Sequence, residues 1–341
     1  MTRYKAETLK QYVESIFRAS GSVQIEASQI AGHLIEANLL GHDSHGIIRV
    51  IHYLNWLDKG WVKPNKAANI IKDSGSVLVV DGDFGYGQVI AKQAMNMAIA
   101  RMNAQSVLVV AIRNTGHIGR VGAWAEMLAH AGFISLHFVN TSGCGIRMAP
   151  FGGRERRFST NPICIGVPAA GKPPIVLDMS TGKIPEGKIL VAIDKGEHIP
   201  EGMILDGDGN PTCDPQGFFD DPQGAVLPIA GPKGSGLAFM IEVLAGALTG
   251  GASSHPDNPT AKMIVNNMFS VVINPDQVSG NEFFQKDISR LMEWTKSSKP
   301  MRDGGEILLP GEFELRTKQD RISKGIPLDA TTIQQLESVA T

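Results

Sequence analysis

Cysteine is scarce. Cys144, Cys164 and Cys213 are the only three in 341 residues, and an odd number at unrelated spacings supports neither a disulfide framework nor a zinc site. An excess of one charge is missing too: with 32 Lys and Arg against 34 Asp and Glu, there is no broad basic field for nucleic acid and no basic amphipathic stripe for a membrane surface. Long apolar runs are absent. The longest, Leu237 to Leu248, is interrupted by Glu242, and Met1 to Glu7 lacks the apolar core of a secretory signal. A cytoplasmic protein is therefore expected, with small molecules or another copy of itself as partners. Aromatic residues make up only 6% while glycine contributes 38, a balance that favours tight turns and backbone-lined clefts. A chain this long buries a large core and is expected to form two domains.

The first part reads as helical. Leu9, Tyr12, Val13, Ile16 and Phe17 recur at helical spacing, as do Ala27, Ile30, Ala31, Leu34 and Ile35. A third helix is expected from Ser44 to about Asp58, stopped near Gly60 and Pro64. From Ser76 the texture changes to strand, helix, strand: Val77 to Val80, Gln88 to Met102, and Ser106 to Ile112. Further strands are expected at Phe133 to Val139 and Ile175 to Asp178, a short strand and turn at Ile307 to Glu312, a helix from Leu237 to Leu248, and a last helix capped by Asp329 through Ala340. Flexible loops are expected at Gly250 to Pro259 and Lys296 to Gly305.

Chemistry concentrates in Gly41-His42-Asp43-Ser44-His45-Gly46-Ile47-Ile48-Arg49. A helix starting at Ser44 would put His45 and Arg49 on one face, with Tyr53 a turn further. That pairs a proton donor with an anion clamp, the two groups that a carbonyl beside a carboxylate requires. A metal site on His42, Asp43 and His45 is disfavoured: the positions are crowded and no further donor motif accompanies them. A second candidate, His117, lies in the glycine-rich stretch Asn114-Thr115-Gly116-His117-Ile118-Gly119-Arg120, where the second βαβ strand ends. Gly85-Tyr86-Gly87 suggests a Rossmann fingerprint, but Ile90 replaces the third glycine and no acid ends the next strand, so a plain turn is favoured. Asp178 ends an apolar strand, where an acid either holds a ribose or caps a turn. Asp206 to Asn210 imitates a calcium loop, yet Pro211 and Gly217 stand where glycine and glutamate belong. Lys233-Gly234 opens a helix whose free amides suit a diphosphate.

Taken in order, Gly41 to Gly46, Asn114 to Arg120, Thr160-Asn161-Pro162, Asp178-Met179-Ser180-Thr181, Lys233 to Ala238 and Leu309-Pro310-Gly311-Glu312 resemble the malate/L-lactate dehydrogenase family of the non-Rossmann type. The segment Phe133 to Val139, Ala149-Pro150-Phe151 and the tail to Ala330 are most similar to its hydroxycarboxylate dehydrogenase branch, which reduces 2-oxoglutarate and aryl pyruvates. The resemblance implies an α/β, non-Rossmann mixed-sheet dinucleotide-binding fold with a helical N-terminal unit, a homodimer, and NAD or NADP as cofactor. The unit would span 1–75 and be completed by 305–341, with the cofactor-binding domain at 76–304. Ser44, His45, Arg49, Tyr53 and His117 would line the substrate site. Thr160, Asn161, Asp178 to Thr181, Lys183, Lys233, Gly234 and Pro310 to Glu312 would meet the cofactor. One departure stands after Thr181, where Gly182-Lys183-Ile184-Pro185-Glu186 occupies a stretch that the family fills with a hydroxyl and Ala/Val residues.

The expected reaction is hydride transfer to C2 of a 2-oxo acid, with Arg49 pairing with the carboxylate. Spacing favours His45 as proton donor and His117 as the group that polarises the same oxygen. Reduction of a cyclic 2-imino acid by the same clamp is the alternative, and a non-catalytic metabolite-binding protein is a weaker one.

Overall fold

The computed structural model describes residues 1–258, 260 and 262–339. Pro259 and Ala340, the ends of an expected loop and helix, lie outside them. In chain order, β1 (Thr2–Tyr4), α1 (Ala6–Ala19), α2 (Gln24–Leu39) and α3 (Arg49–Asp58) lead into β2 (Asn69–Asp73), β3 (Val77–Asp81), α4 (Gly87–Met102), β4 (Val107–Thr115) and α5 (Gly122–His130). Then come β5 (Ile134–Gly143), β6 (Pro162–Val167), β7 (Ile175–Ser180), α6 (Glu186–Lys195) and the short β8 (Ile204–Leu205), β9 (Pro211–Thr212) and β10 (Ala225–Val226). The chain ends with α7 (Pro232–Ile241), β11 (Ile264–Ile273), α8 (Asn281–Lys296), α9 (Glu312–Lys324), β12 (Ile326–Leu328) and α10 (Ala330–Ser338).

The main sheet has seven strands in the order β2-β3-β4-β11-β5-β6-β7. The expected βαβ unit is present, with β3 and β4 parallel from Val77↔Val109 to Asp81↔Arg113. Its other ladders are antiparallel, so the sheet is mixed and lacks the all-parallel pattern of a Rossmann half. Strand β11 sits at the centre although its sequence gives little sign of it, because Asn266, Asn267 and Ser270 interrupt the apolar alternation. Met268 and Val272 of β11 join Val110 and Ile112 of β4, Met95 of α4 and Leu128 of α5 in one buried core, each such side chain contributing about 1.5–3 kcal/mol of hydrophobic stabilisation.

A second core joins the two ends of the chain. Leu9, Val13 and Phe17 of α1 pack with Ile30 and Leu34 of α2, Val50 and Tyr53 of α3, and Ile326, Leu328 and Leu336 from the C-terminus. Strands β1 and β12 pair antiparallel beside it. Met148, Ile189, Ile204, Phe218 and Val226 form a third, smaller core around β8 to β10.

Three expectations are corrected. The helix does not start at Ser44: a short 3-10 turn covers Asp43–His45, Gly46 is extended, and α3 starts at Arg49. The Asn38 side chain enforces this by donating to Asp43 Oδ1 at 2.6 Å and accepting from the Ile47 amide at 2.8 Å. Ile307 to Leu309 forms no strand; the Leu309 amide instead donates to Glu312 Oε2 at 3.0 Å, at the entry to α9. The helix expected from Leu237 begins at Pro232 and passes into a π-turn at Glu242–Ala247. No helix among the described residues is long and apolar enough to cross a membrane.

Candidate active site

His117 stands in the loop after β4, which other side chains hold on several sides. The Ile118 amide donates to Asn266 Oδ1 and the Arg120 amide to His33 Nε2, each at 2.9 Å. Gly119 has φ +78, and a Cβ there would lie 2.1 Å from His33 Nε2, so the close approach requires glycine. Gly87 serves the same loop. A Cβ on it would lie 2.4 Å from the Gly116 carbonyl, so the glycines that imitate a Rossmann turn bring α4 against the loop that carries His117.

Tyr53 Oη lies 2.7 Å from His117 Nδ1, and Gln88 Nε2 donates to the same oxygen at 2.6 Å. The His45 ring stacks on the His117 ring, with centroids 5.5 Å apart and planes at 23°. Its Nδ1 is 3.0 Å from Ser44 Oγ. Arg49 Nε donates to the Ser44 carbonyl at 2.6 Å, which ties the first turn of α3 back to the 3-10 turn. All five expected substrate-side residues therefore come together, although Gly46 separates His45 from the helix that bears Arg49 and Tyr53. Burial, and after it the Arg49 charge, hold both imidazoles well below the usual histidine range. Tyr53 is pushed up by burial.

The metal alternative is dispersed. Arg321 pairs with Asp43 at 2.5 Å and Glu314 approaches His42 at 3.6 Å, and among the described residues no three His, Cys, Asp or Glu side chains converge as ligands.

The expected cofactor residues fall into two groups and two outliers. Around the junction of β6 and β7, Ser180 Oγ donates to the Thr160 carbonyl at 3.2 Å and Thr181 Oγ1 to the Asn161 carbonyl at 3.0 Å. Met179 lies opposite Ile163 in the ladder. The start of α7, with exposed Lys233 and buried Gly234, is tied there by the Ile229 amide on the Thr181 carbonyl at 2.9 Å. Asn161 Nδ2 donates to Glu242 Oε1 at 2.8 Å, while, among the described residues, its Oδ1 and the β5 hydroxyl of Ser142 are buried without a partner. The second group is Asp178 with Pro310 and Gly311. Asp178 Oδ2 accepts from the Gly122 amide at 2.7 Å, so it caps α5, and burial raises its pKa against the pull of His42 and Arg120. A cleft of about 780 Å³ borders Gly311, Val176, Glu126, Met127 and Lys318 but reaches neither catalytic candidate. Lys183 turns to the Gly202 carbonyl at 2.8 Å and Glu312 pairs with Lys296 at 2.5 Å.

Sequence reasoning missed Gln88, His33, Asn266 and the ion pair of Arg147 with Glu186. Only Gln88 carried a signal, as the residue next to Gly87 in the glycine-rich turn.

The family model described as malate/L-lactate dehydrogenase matches residues 4–337. Hydroxycarboxylate dehydrogenase B of Escherichia coli O157:H7 is 41% identical over 336 residues, covering 98% of this chain and 92% of that protein. The solved sulfolactate dehydrogenase of Methanocaldococcus jannaschii superposes with a TM-score of 0.89 at 36% identity, covering 99% of this chain and 96% of the other. The Delta(1)-pyrroline-2-carboxylate/Delta(1)-piperideine-2-carboxylate reductase of Pseudomonas putida is 31% identical over 335 residues, 97% of this chain and 95% of that protein.

Proposed function

The chain belongs to the malate/L-lactate dehydrogenase family, and from that premise we propose that it reduces a 2-oxo acid to the 2-hydroxy acid with NADH or NADPH, and catalyses the reverse oxidation, as a cytoplasmic homodimer. The observation that carries this reading is that the Arg49 charge acts on the buried His117 imidazole, which Tyr53 orients.

Arg49 pairs with the substrate carboxylate through its planar fork. A nicotinamide, when bound, would supply the hydride that C2 takes up. His117 gives the proton to the C2 oxygen during reduction and removes it during oxidation. With the ring proton on Nδ1, His117 donates to Tyr53 Oη, which also accepts from Gln88 Nε2, so Nε2 is left to give the proton in reduction, when the ring is doubly protonated, and to take it back in oxidation, when the ring is neutral. This supports His117 over His45 as the proton carrier, since His45 Nδ1 meets the neighbouring Ser44 hydroxyl. His45 then packs against the His117 ring and polarises the same oxygen.

Electrostatics couples the steps. Burial and Arg49 keep both imidazoles neutral. A carboxylate seated on Arg49 cancels the second cause, so the anion favours uptake of the proton that the reduction consumes.

For the cofactor, the unpartnered Asn161 Oδ1 and Ser142 Oγ suit a group rich in amide and hydroxyl donors. Thr160, Asn161, Met179, Ser180, Thr181, Lys233 and Gly234 form one proposed wall; Asp178, Pro310 and Gly311, beside the open cleft, form the other, with Lys183 and Glu312 at its margins. The substrate-side unit is proposed as 1–75 with 305–341, because residues from both stretches share a core, and 76–304 as the cofactor domain. Exposed apolar side chains on α7 and the turn after it, Phe239 at 56%, Met240 at 49% and Leu248 at 62%, are too concentrated for a lone surface and support the homodimer.

The test is turnover of a panel of 2-oxo acids and cyclic 2-imino acids with both reduced cofactors. The imino acids are included because the Pseudomonas putida relative reduces them by name. Turnover of imino acids alone would move the assignment to that alternative; no oxidation of either cofactor would sink it.

A further inference from the structure

An ion pair stands close to Arg49 and Ser44. Arg147, in the loop after β5, donates from Nε to Glu186 Oε1 at 2.8 Å, and the Cys144 and Ile146 carbonyls hold its Nη1 at 3.0 Å each. Glu186 opens α6, and the next residue abuts the substrate side: a Cβ on Gly187 would lie 3.3 Å from Ser44 Cβ. Ser44 itself holds Arg49 through its carbonyl and His45 through its hydroxyl. The first turn of α6 thus forms a wall beside the carboxylate clamp. The charges of Arg147 and Glu186 both act on the Arg49 guanidinium, and that of Glu186 also on His52. Neither partner is used up. Among the described residues, Arg147 Nη2 and Glu186 Oε2 make no hydrogen bond, and the two side chains keep 29% and 35% of their surface exposed.

We propose that the Arg147–Glu186 pair sets which side-chain charge the enzyme accepts on its 2-oxo acid, Glu186 biasing it toward uncharged side chains. The proposal rests on the 2-oxo acid reading above. A substrate with a second carboxylate must compete with Glu186 for the Arg147 fork; it gains one ion pair by breaking another and leaves two carboxylates side by side. An uncharged side chain meets a pair that is already neutral. Neutralising Glu186 turns Arg147 into a free seat for the second carboxylate.

The experiment compares 2-oxoglutarate with 2-oxopentanoate, equal in chain length, one ending in a carboxylate and the other in a methyl. With Glu186→Gln, the dicarboxylate to monocarboxylate ratio of kcat/KM is expected to rise tenfold or more. With Arg147→Gln, which leaves Glu186 a lone anion, the ratio is expected to fall at least tenfold, and the double variant is expected to lose the gain of the first. Because the two single variants act in opposite directions, a general loss of folding cannot imitate the result. Ratios within twofold of the unaltered enzyme in both variants overturn the proposal. Turnover of neither acid by the unaltered enzyme, with either cofactor, brings down the functional reading and this proposal with it.

Discussion

Tyr53 and His117, 64 residues apart, meet through an oxygen to nitrogen distance of 2.7 Å. Because Tyr53 is buried and its phenol pKa is raised, it works as an orienting hydroxyl and does not ionise at neutral pH. Tyr53→Phe keeps the ring packing and leaves His117 Nδ1 without its partner, a loss of about 1–3 kcal/mol for a buried group. We expect kcat to fall roughly tenfold to a hundredfold, short of the full loss of a general acid at about a hundredfold to ten-thousandfold. KM for the 2-oxo acid and affinity for the cofactor should hold, since Arg49 and the cofactor walls are untouched. A KM that rises in step with an unchanged kcat would assign Tyr53 to substrate binding alone.

The Arg49 charge gives a second prediction. It lowers the His45 and His117 pKa values, so an anion paired with it must raise them. Binding of oxamate, a non-reducible 2-oxo acid mimic, to the enzyme with its reduced cofactor should take up a fraction of a proton near pH 7. Calorimetry in two buffers of different ionisation enthalpy measures this directly. An apparent binding enthalpy identical in both buffers contradicts the coupling. Arg49→Lys keeps the charge but loses the bidentate fork, so it should weaken oxamate binding about tenfold while retaining the proton uptake.

Phe239 is exposed on α7, and a charge there costs a monomer little. In a dimer that buries it, Phe239→Asp places a carboxylate in an apolar contact without a partner. Sedimentation should show the unaltered chain as a dimer and this variant shifted toward the monomer, with helical content unchanged. A dimer of undiminished strength would mean that another face makes the contact.

The sequence made the pocket legible where chemistry and backbone demands coincide. His45 and His117 sit among glycines that this fold requires, Gly46 and Gly119 among them, and Arg49 and Tyr53 lie one helical turn apart in α3. What no local pattern announces are partners supplied from distant stretches. His33 is an inward-facing residue of α2, Asn266 belongs to a strand hidden by its own polar residues, and Arg147 and Glu186 meet across 39 residues, one in the loop after β5 and the other at the start of α6. The expected helix at Ser44 failed because Asn38, outside the motif, holds the loop open. The expected strand at Ile307 failed because apolar residues without a neighbouring strand have no ladder to join.

Acid stability follows from another buried histidine. His137 lies fully buried in β5 between Ser270 Oγ at 2.8 Å and Ser135 Oγ at 2.9 Å, and burial lowers its pKa to about 3. The unfolded chain protonates this residue near pH 6.5, so between pH 6.5 and about 3 the unfolded state binds more protons and folding stability falls as the pH drops. From pH 7 to pH 5 the loss from one such group is about 2 kcal/mol. His33, also near 3, adds to it in the same direction, whereas the raised pKa of Asp178 opposes it at lower pH. In His137→Gln the amide still reaches both hydroxyls without titrating, so the loss between pH 7 and pH 5, measured by urea unfolding, should shrink by about 2 kcal/mol relative to the unaltered protein. Equal losses in the two proteins would mean that His137 does not remain neutral in the folded sheet.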